Sequence, residues 1–184
     1  MEERAGLVIR PLGAADEAEA LAAHAELVAE GSMFLQGHEP GMPWAAYLDL
    51  LERYRAGVGL PAGHVPTTTL VGAAGGSLVG LLSVRHRLSP RLELMGGHLG
   101  YVVRPAHRRR GYATALLRHG LGVAAGIGVG EALVTCSDDN VGSIAVIERA
   151  GGVLRDRVEV PGYGLKRRYL VSTSRPGHLA GRAG

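Results

Sequence analysis

The 184-residue chain has a single cysteine, Cys136, a single lysine, Lys166, one tryptophan and one phenylalanine. One cysteine cannot form an intramolecular disulfide, so a disulfide scaffold is excluded and a cytoplasmic location is expected. Met1-Glu2-Glu3-Arg4 is acidic where a secretory signal needs a basic start. No stretch approaches 18 consecutive apolar residues, so no membrane span and no membrane partner are expected. The eight histidines show no tight ligand spacing, and with one cysteine no metal site is expected. With six tyrosines and little other aromatic content, the core must rest on Leu, Val, Ile and Ala.

What is present fits one globular domain: 46% hydrophobic and 20% charged residues. The 29 glycines follow no triplet period, which rules out collagen. The formal net charge of +3 is too small to predict a polyanion partner. All basic residues except Lys166 are arginines, so their placement carries more information than their sum.

Periodicity orders the chain. Leu7–Pro11 is a short strand. Ala14–Glu30 reads as a helix with Leu21, Ala25 and Val28 on one face, and Pro43–Ala56 as a second, with Pro43 in its first turn. Thr67–Ala73 and Ser77–Arg87 form a hairpin about Gly75-Gly76. Leu88–Gly97 is a connection, and His98–Arg104 a central strand stopped by Pro105. Gly111–Ala125 is an amphipathic helix with Leu116, Leu117 and Leu121 as its stripe. Ala132–Cys136 is a strand, with Cys136 a buried small hydrophobe, and Asn140–Ala150 a helix ended by Gly151-Gly152. Val153–Val160 and Leu165–Ser172 make a last hairpin. Residues 7–172 are expected to form the domain, 1–6 an N-terminal extension and 173–184 a flexible tail.

The segment Arg104 to Thr114 carries the chemistry. Arg108, Arg109 and Arg110 precede Gly111 at a strand–turn–helix junction. The first N–H groups of a helix have no partner within it, and the helix dipole favours an anion there. Gly111 allows close backbone approach, and Ala113 keeps the next position small. This arrangement fits a diphosphate cradle. A solvated arginine cluster or a nucleic-acid patch are the competing readings; the absence of interleaved aromatics argues against single-strand binding.

Arg108-x-x-Gly111-x-Ala113 after a strand resembles the acetyl-CoA diphosphate motif of the GNAT family (GCN5-related N-acetyltransferases). The order of elements is similar to that family over residues 7–172, as is Asn140 opening a helix that ends in Gly151-Gly152. Arg85-His86-Arg87, Gly96–Tyr101 and Thr135–Asn140 look like a branch of predicted acetyltransferases with unassigned substrates. The resemblance implies an α/β fold of α+β type. Its central sheet is mixed and mostly antiparallel, with helices on both faces and a splayed parallel strand pair. It implies acetyl-CoA as co-substrate, bound by Arg108, Arg109, Arg110, Gly111, Tyr112, Ala113 and Thr114. Backbone groups near Tyr101, Val102 and Val103 would take the pantetheine arm, one N–H polarising the thioester carbonyl. Asn140 and Ser143 would meet the same arm; Asn140 reads equally well as a helix N-cap.

The implied reaction is direct acetyl transfer to a primary amine of a small molecule or peptide, with no nucleic acid involved. Dimers are common in similar folds. One position departs from the family: the tyrosine that many members place seven residues after the asparagine, as acid for the leaving thiolate, is Ile147 here. An acyl-CoA-binding module that has lost catalysis is therefore an alternative to the enzyme. Glu93 and His98 are the candidate general bases, with His86 behind them. Glu39 and Glu93 are candidates to attract a cationic amine.

Overall fold

The computed structural model describes residues 6–174. The expected extension, apart from Gly6, and the expected tail beyond Ser174 lie outside the described residues. At the edge of that range the Thr173 hydroxyl donates to the carbonyls of Val129 and Gly130, at 2.6 and 2.9 Å.

The strands are β1 (Val8–Arg10), β2 (Thr67–Ala74), β3 (Ser77–Arg85), β4 (Leu99–Val103), β5 (Glu131–Ser137), β6 (Val153–Val160) and β7 (Gly164–Ser172). The helices are α1 (Glu17–Ala29), α2 (Trp44–Ala56), α3 (Pro90–Leu94), α4 (Tyr112–Gly126) and α5 (Val141–Arg149). The strands form a seven-stranded sheet in the order β1-β2-β3-β4-β5-β7-β6. Every neighbouring pair is antiparallel except β4–β5. The expected mixed sheet with one parallel pair is therefore the observed one.

Alternation along the strands divides the core between two faces. Leu82, Val84, Leu99 and Val103 pack with Leu116, Leu117 and Leu121 of α4 and Ile147 of α5. Leu78, Leu81 and Val71 pack on the other face with Ala20, Ala23 and Leu27 of α1 and Trp44 and Tyr47 of α2. The α4 stripe is as its periodicity requires. The α1 face is not: Leu21 and Val28 are 37% and 52% exposed, and the buried positions are Ala20, Ala23 and Leu27. The buried face combines the small Ala20 and Ala23 with the large Leu27, while Ala25 of the expected face is exposed with Leu21 and Val28.

Two helix starts also differ from expectation. Pro43 is the N-cap of α2, in extended conformation, and the helix begins at Trp44. The connection before β4 contains α3, with Ser89 as N-cap and Pro90 in its first turn. Arg104 ties the end of β4 to α1 through Glu26 at 2.6 Å and Glu19 at 3.0 Å.

Candidate active site

The site begins where β4 and β5 part. His98 N–H donates to Leu133 O at 2.7 Å, and the only register pair between the strands is Leu99 with Val134. Gly97 makes this approach possible: its φ is +59°, and a Cβ there would lie 2.2 Å from Leu133 O. Beyond Leu99 the strands diverge. Arg104 N–H donates to Val79 O, and His98 O accepts from Arg85 N–H. Even-numbered residues of β4 therefore turn their backbone groups toward β3, and Tyr101 and Val103 turn theirs into the gap. Val102 pairs with Leu81 and directs its backbone to β3, so of the three expected backbone ligands only Tyr101 and Val103 face the gap.

The gap leads to the start of α4. Arg109 has φ +59° and Gly111 φ +79°, and Gly111 is the N-cap with no side-chain cap bond. This loop turns every N–H from Arg109 to Thr114 away from a backbone partner; the first helical bond is Ala115 N–H to Gly111 O, at 3.1 Å. Unpaired donors at a helix start, with the positive end of its dipole, form an anion site. Arg109 and Arg110 are exposed and make no ion pair among the described residues. Arg108 is placed differently: its guanidinium pairs with Glu30 and donates from Nε to Val103 O at 3.1 Å. It thus fastens the loop to α1 and β4. Tyr112 and Ala113 pack partly against the core below.

Across the gap, Asn140 caps α5, its Oδ1 accepting from Ser143 N–H at 3.0 Å. Tyr101 Oη is buried near Ser143 and Cys136 and has no partner within hydrogen-bond geometry. Burial chiefly, opposed by the Ser143 hydroxyl, pushes its pKa up to about 12. A buried hydroxyl without a partner costs free energy in the empty protein. Cys136 is buried, and burial raises its thiol pKa. Ile147 is fully buried in the core. The gap, the unpaired amides and the orphan hydroxyl together fit a nucleotide with an amide-containing arm.

On the opposite face of β4 a cavity of about 370 Å³ is lined by Ser32, Gln36, Leu81, Ser83, Gly100 and Val102, among others. No carboxylate or imidazole lines it. Glu93 is exposed on α3, where its carbonyl accepts from Arg168 at 3.0 Å. His98 Nδ1 accepts from Leu133 N–H at 3.0 Å, which fixes the neutral ring with its proton on Nε2. Burial, and the Arg85 charge after it, lower the His98 pKa. His86 is bonded to the Thr68 hydroxyl at 2.8 Å. The structure places the residues expected to meet the cofactor around one gap and leaves the three candidate bases off the cavity wall. Arg85, half-buried beside Gly100, has no role in the sequence reading beyond its place in the Arg85-His86-Arg87 run. A charged residue at a strand end reads as surface, so the run by itself does not place this side chain beside the cavity.

The sequence profile of the Acetyltransferase (GNAT) family matches residues 32–152. No curated protein matches the chain. Among solved structures, yncA of Salmonella typhimurium, determined with its cofactor acetyl-CoA, superposes with TM-score 0.61 at 18% identity over 97% of this chain and 99% of that one. RimJ of Mycobacterium smegmatis, in complex with CoA-disulfide, superposes with TM-score 0.63 at 20% identity over 90% and 81%. The Salmonella typhimurium acetyl transferase that modifies the N-terminal serine of ribosomal protein L7/L12 gives TM-score 0.66 at 13% identity over 91% and 95%. The profile spans most of the chain and takes in the α4 loop, the β4–β5 gap and Asn140, so this chain belongs to the GNAT family of acetyltransferases.

Proposed function

We propose that the protein transfers an acetyl group from acetyl-CoA directly to a primary amine, with the diphosphate on the α4 amides and the thioester in the β4–β5 gap. The observation that carries this reading is the run of unpaired N–H groups from Arg109 to Thr114, opening onto strands that part after a single register pair. Acetyl-CoA supplies an activated acyl group on a good leaving group.

The chain's own residues do the rest by position and polarity. Arg109 and Arg110 add charge around the phosphates, and Arg108 holds the loop through Glu30 and Val103. The N–H of Tyr101 or Val103 is free to donate to the thioester oxygen, which strengthens as that oxygen gains charge. Tyr101 Oη remains protonated at neutral pH and can donate a hydrogen bond to the arm or its sulfur. It takes over part of what a tyrosine at position 147 would do. Glu93 is the candidate to accept the amine proton through water, since it does not line the cavity. His98, expected as the other base, has its one acceptor nitrogen taken by Leu133 N–H and so has no lone pair free for that proton.

Release of free CoA thiol, followed across a panel of primary amines, tests this reading. Turnover with at least one amine is expected. Acetyl-CoA binding without turnover of any amine would favour the non-catalytic binding module, and Ile147 is the residue that favours that second reading.

A further inference from the structure

Leu81, Ser83 and Arg85 alternate along one face of β3, and the first two line the cavity. Across the ladder, Gly100 faces Ser83. A Cβ on Gly100 would lie 3.4 Å from both Nη1 and Nη2 of Arg85, so the guanidinium rests over the bare backbone of a cavity-lining residue. Arg85 Nη1 donates to the carbonyls of Gly96 and Gly97 at 2.9 and 3.2 Å. Its Nε and Nη2 have no partner, and no carboxylate lies within ion-pair distance of it, among the described residues. Other partly buried arginines are matched: Arg104 by Glu19 and Glu26, Arg10 by Asp16, Arg168 by Asp156. A half-buried cation without an anion is costly, and two carbonyls offset only part of that cost. Burial accordingly lowers the Arg85 pKa.

The cavity beside it is neutral. Its polar residues are Ser32, Gln36, Ser83 and Tyr101, the last with its hydroxyl buried, and Ser83 is only 3% exposed with its hydroxyl unbonded among the described residues. Neither Glu39 nor Glu93 reaches the wall, so nothing there attracts a cation. We propose that the acceptor is an amine that also carries a carboxylate, which Arg85 binds at the β3–β4 end of the cavity while Ser83 bonds its polar atoms. This deepens, and rests on, the acetyl-transfer reading. A guanidinium is suited to it because its forked donors match the two oxygens of a carboxylate.

The test compares amino acids of graded chain length with their terminal amides, which keep the amine and remove only the charge. Charge-assisted hydrogen bonds predict a kcat/KM at least about tenfold higher for the best acid than for its amide. In Arg85→Gln that ratio should fall toward one, with acetyl-CoA affinity by calorimetry unchanged. A merely structural Arg85 would lower both activities and leave the ratio intact. Should Arg85→Gln fail to fold, Arg85→Lys, which keeps the charge but loses the fork, should give an intermediate ratio. Equal turnover of acids and amides by wild type, preference for amides, or no turnover of any acid overturns the proposal, as does a ratio that survives in the folded variant. If acetyl-CoA itself does not bind, the acetyl-transfer reading fails first and this inference falls with it.

Discussion

Leu99 pairs with Val134, yet two residues further along Tyr101 and Cys136, which would face each other if the ladder continued, are unpaired across the widening gap. The Tyr101 ring projects to the α5 side of that gap, where its hydroxyl is buried without a partner. The parting of these strands is what turns a sheet into a container.

Tyr101→Phe separates folding from binding. Deleting a buried hydroxyl that has no partner should raise the stability of the empty protein by about 1 kcal/mol. Loss of its hydrogen bond to the arm should weaken acetyl-CoA binding several-fold. Chemical denaturation and calorimetry on the same sample check both signs. Unaltered affinity would mean that the hydroxyl does not meet the arm.

Gly97→Ala tests the closed end of the gap. The substitution places a Cβ against Leu133 O in a left-handed backbone. A cost of about 2–4 kcal/mol is expected in urea denaturation, from the conformation and the clash together. A near-neutral result would show that the β4–β5 contact is looser than described.

Asp16→Asn should reveal a pH-dependent anchor of α1. Arg10 holds the Asp16 carboxylate through two bonds of 2.6 and 2.8 Å, and Gly13 N–H adds a third at 2.7 Å. The hydrogen bonds from Arg10 lower the Asp16 pKa, against a smaller opposing effect of burial. A depressed folded-state pKa gives stability that is complete above the unfolded value, near 3.8, and is lost as pH falls through the folded value. The variant should therefore melt below wild type at pH 7, by about 1–3 kcal/mol, and the difference should shrink below pH 4. A gap that stays constant with pH would contradict the ion pair.

Much of this architecture is readable from residue order. Gly75-Gly76 between β-rich runs gives the β2–β3 hairpin with its turn at those residues, and Leu116, Leu117 and Leu121 give the buried face of α4. Both signals are local. The face of α1 is not readable, because alanines and leucines fall on both of its sides and only contact with the sheet selects Ala20, Ala23 and Leu27. The five-residue α3 leaves no periodicity, though Ser89-Pro90 marks its start. At the site, the run of unpaired amides before α4 is legible because glycine, arginine and helix order depend only on neighbours in sequence. The engagement of Arg108 by Glu30, the turning of Val102 toward β3 and the partial burial of Arg85 depend on long-range packing, which no spacing encodes.

The central claim is that backbone amides at the start of α4 hold acetyl-CoA. Calorimetric titration of acetyl-CoA into wild type and Gly111→Asp tests it most directly. Gly111 has φ +79°, which an aspartate adopts under strain, and the new carboxylate would repel the phosphates. Saturable binding to wild type and none to the folded variant is the predicted result; equal affinity for both would contradict the cradle.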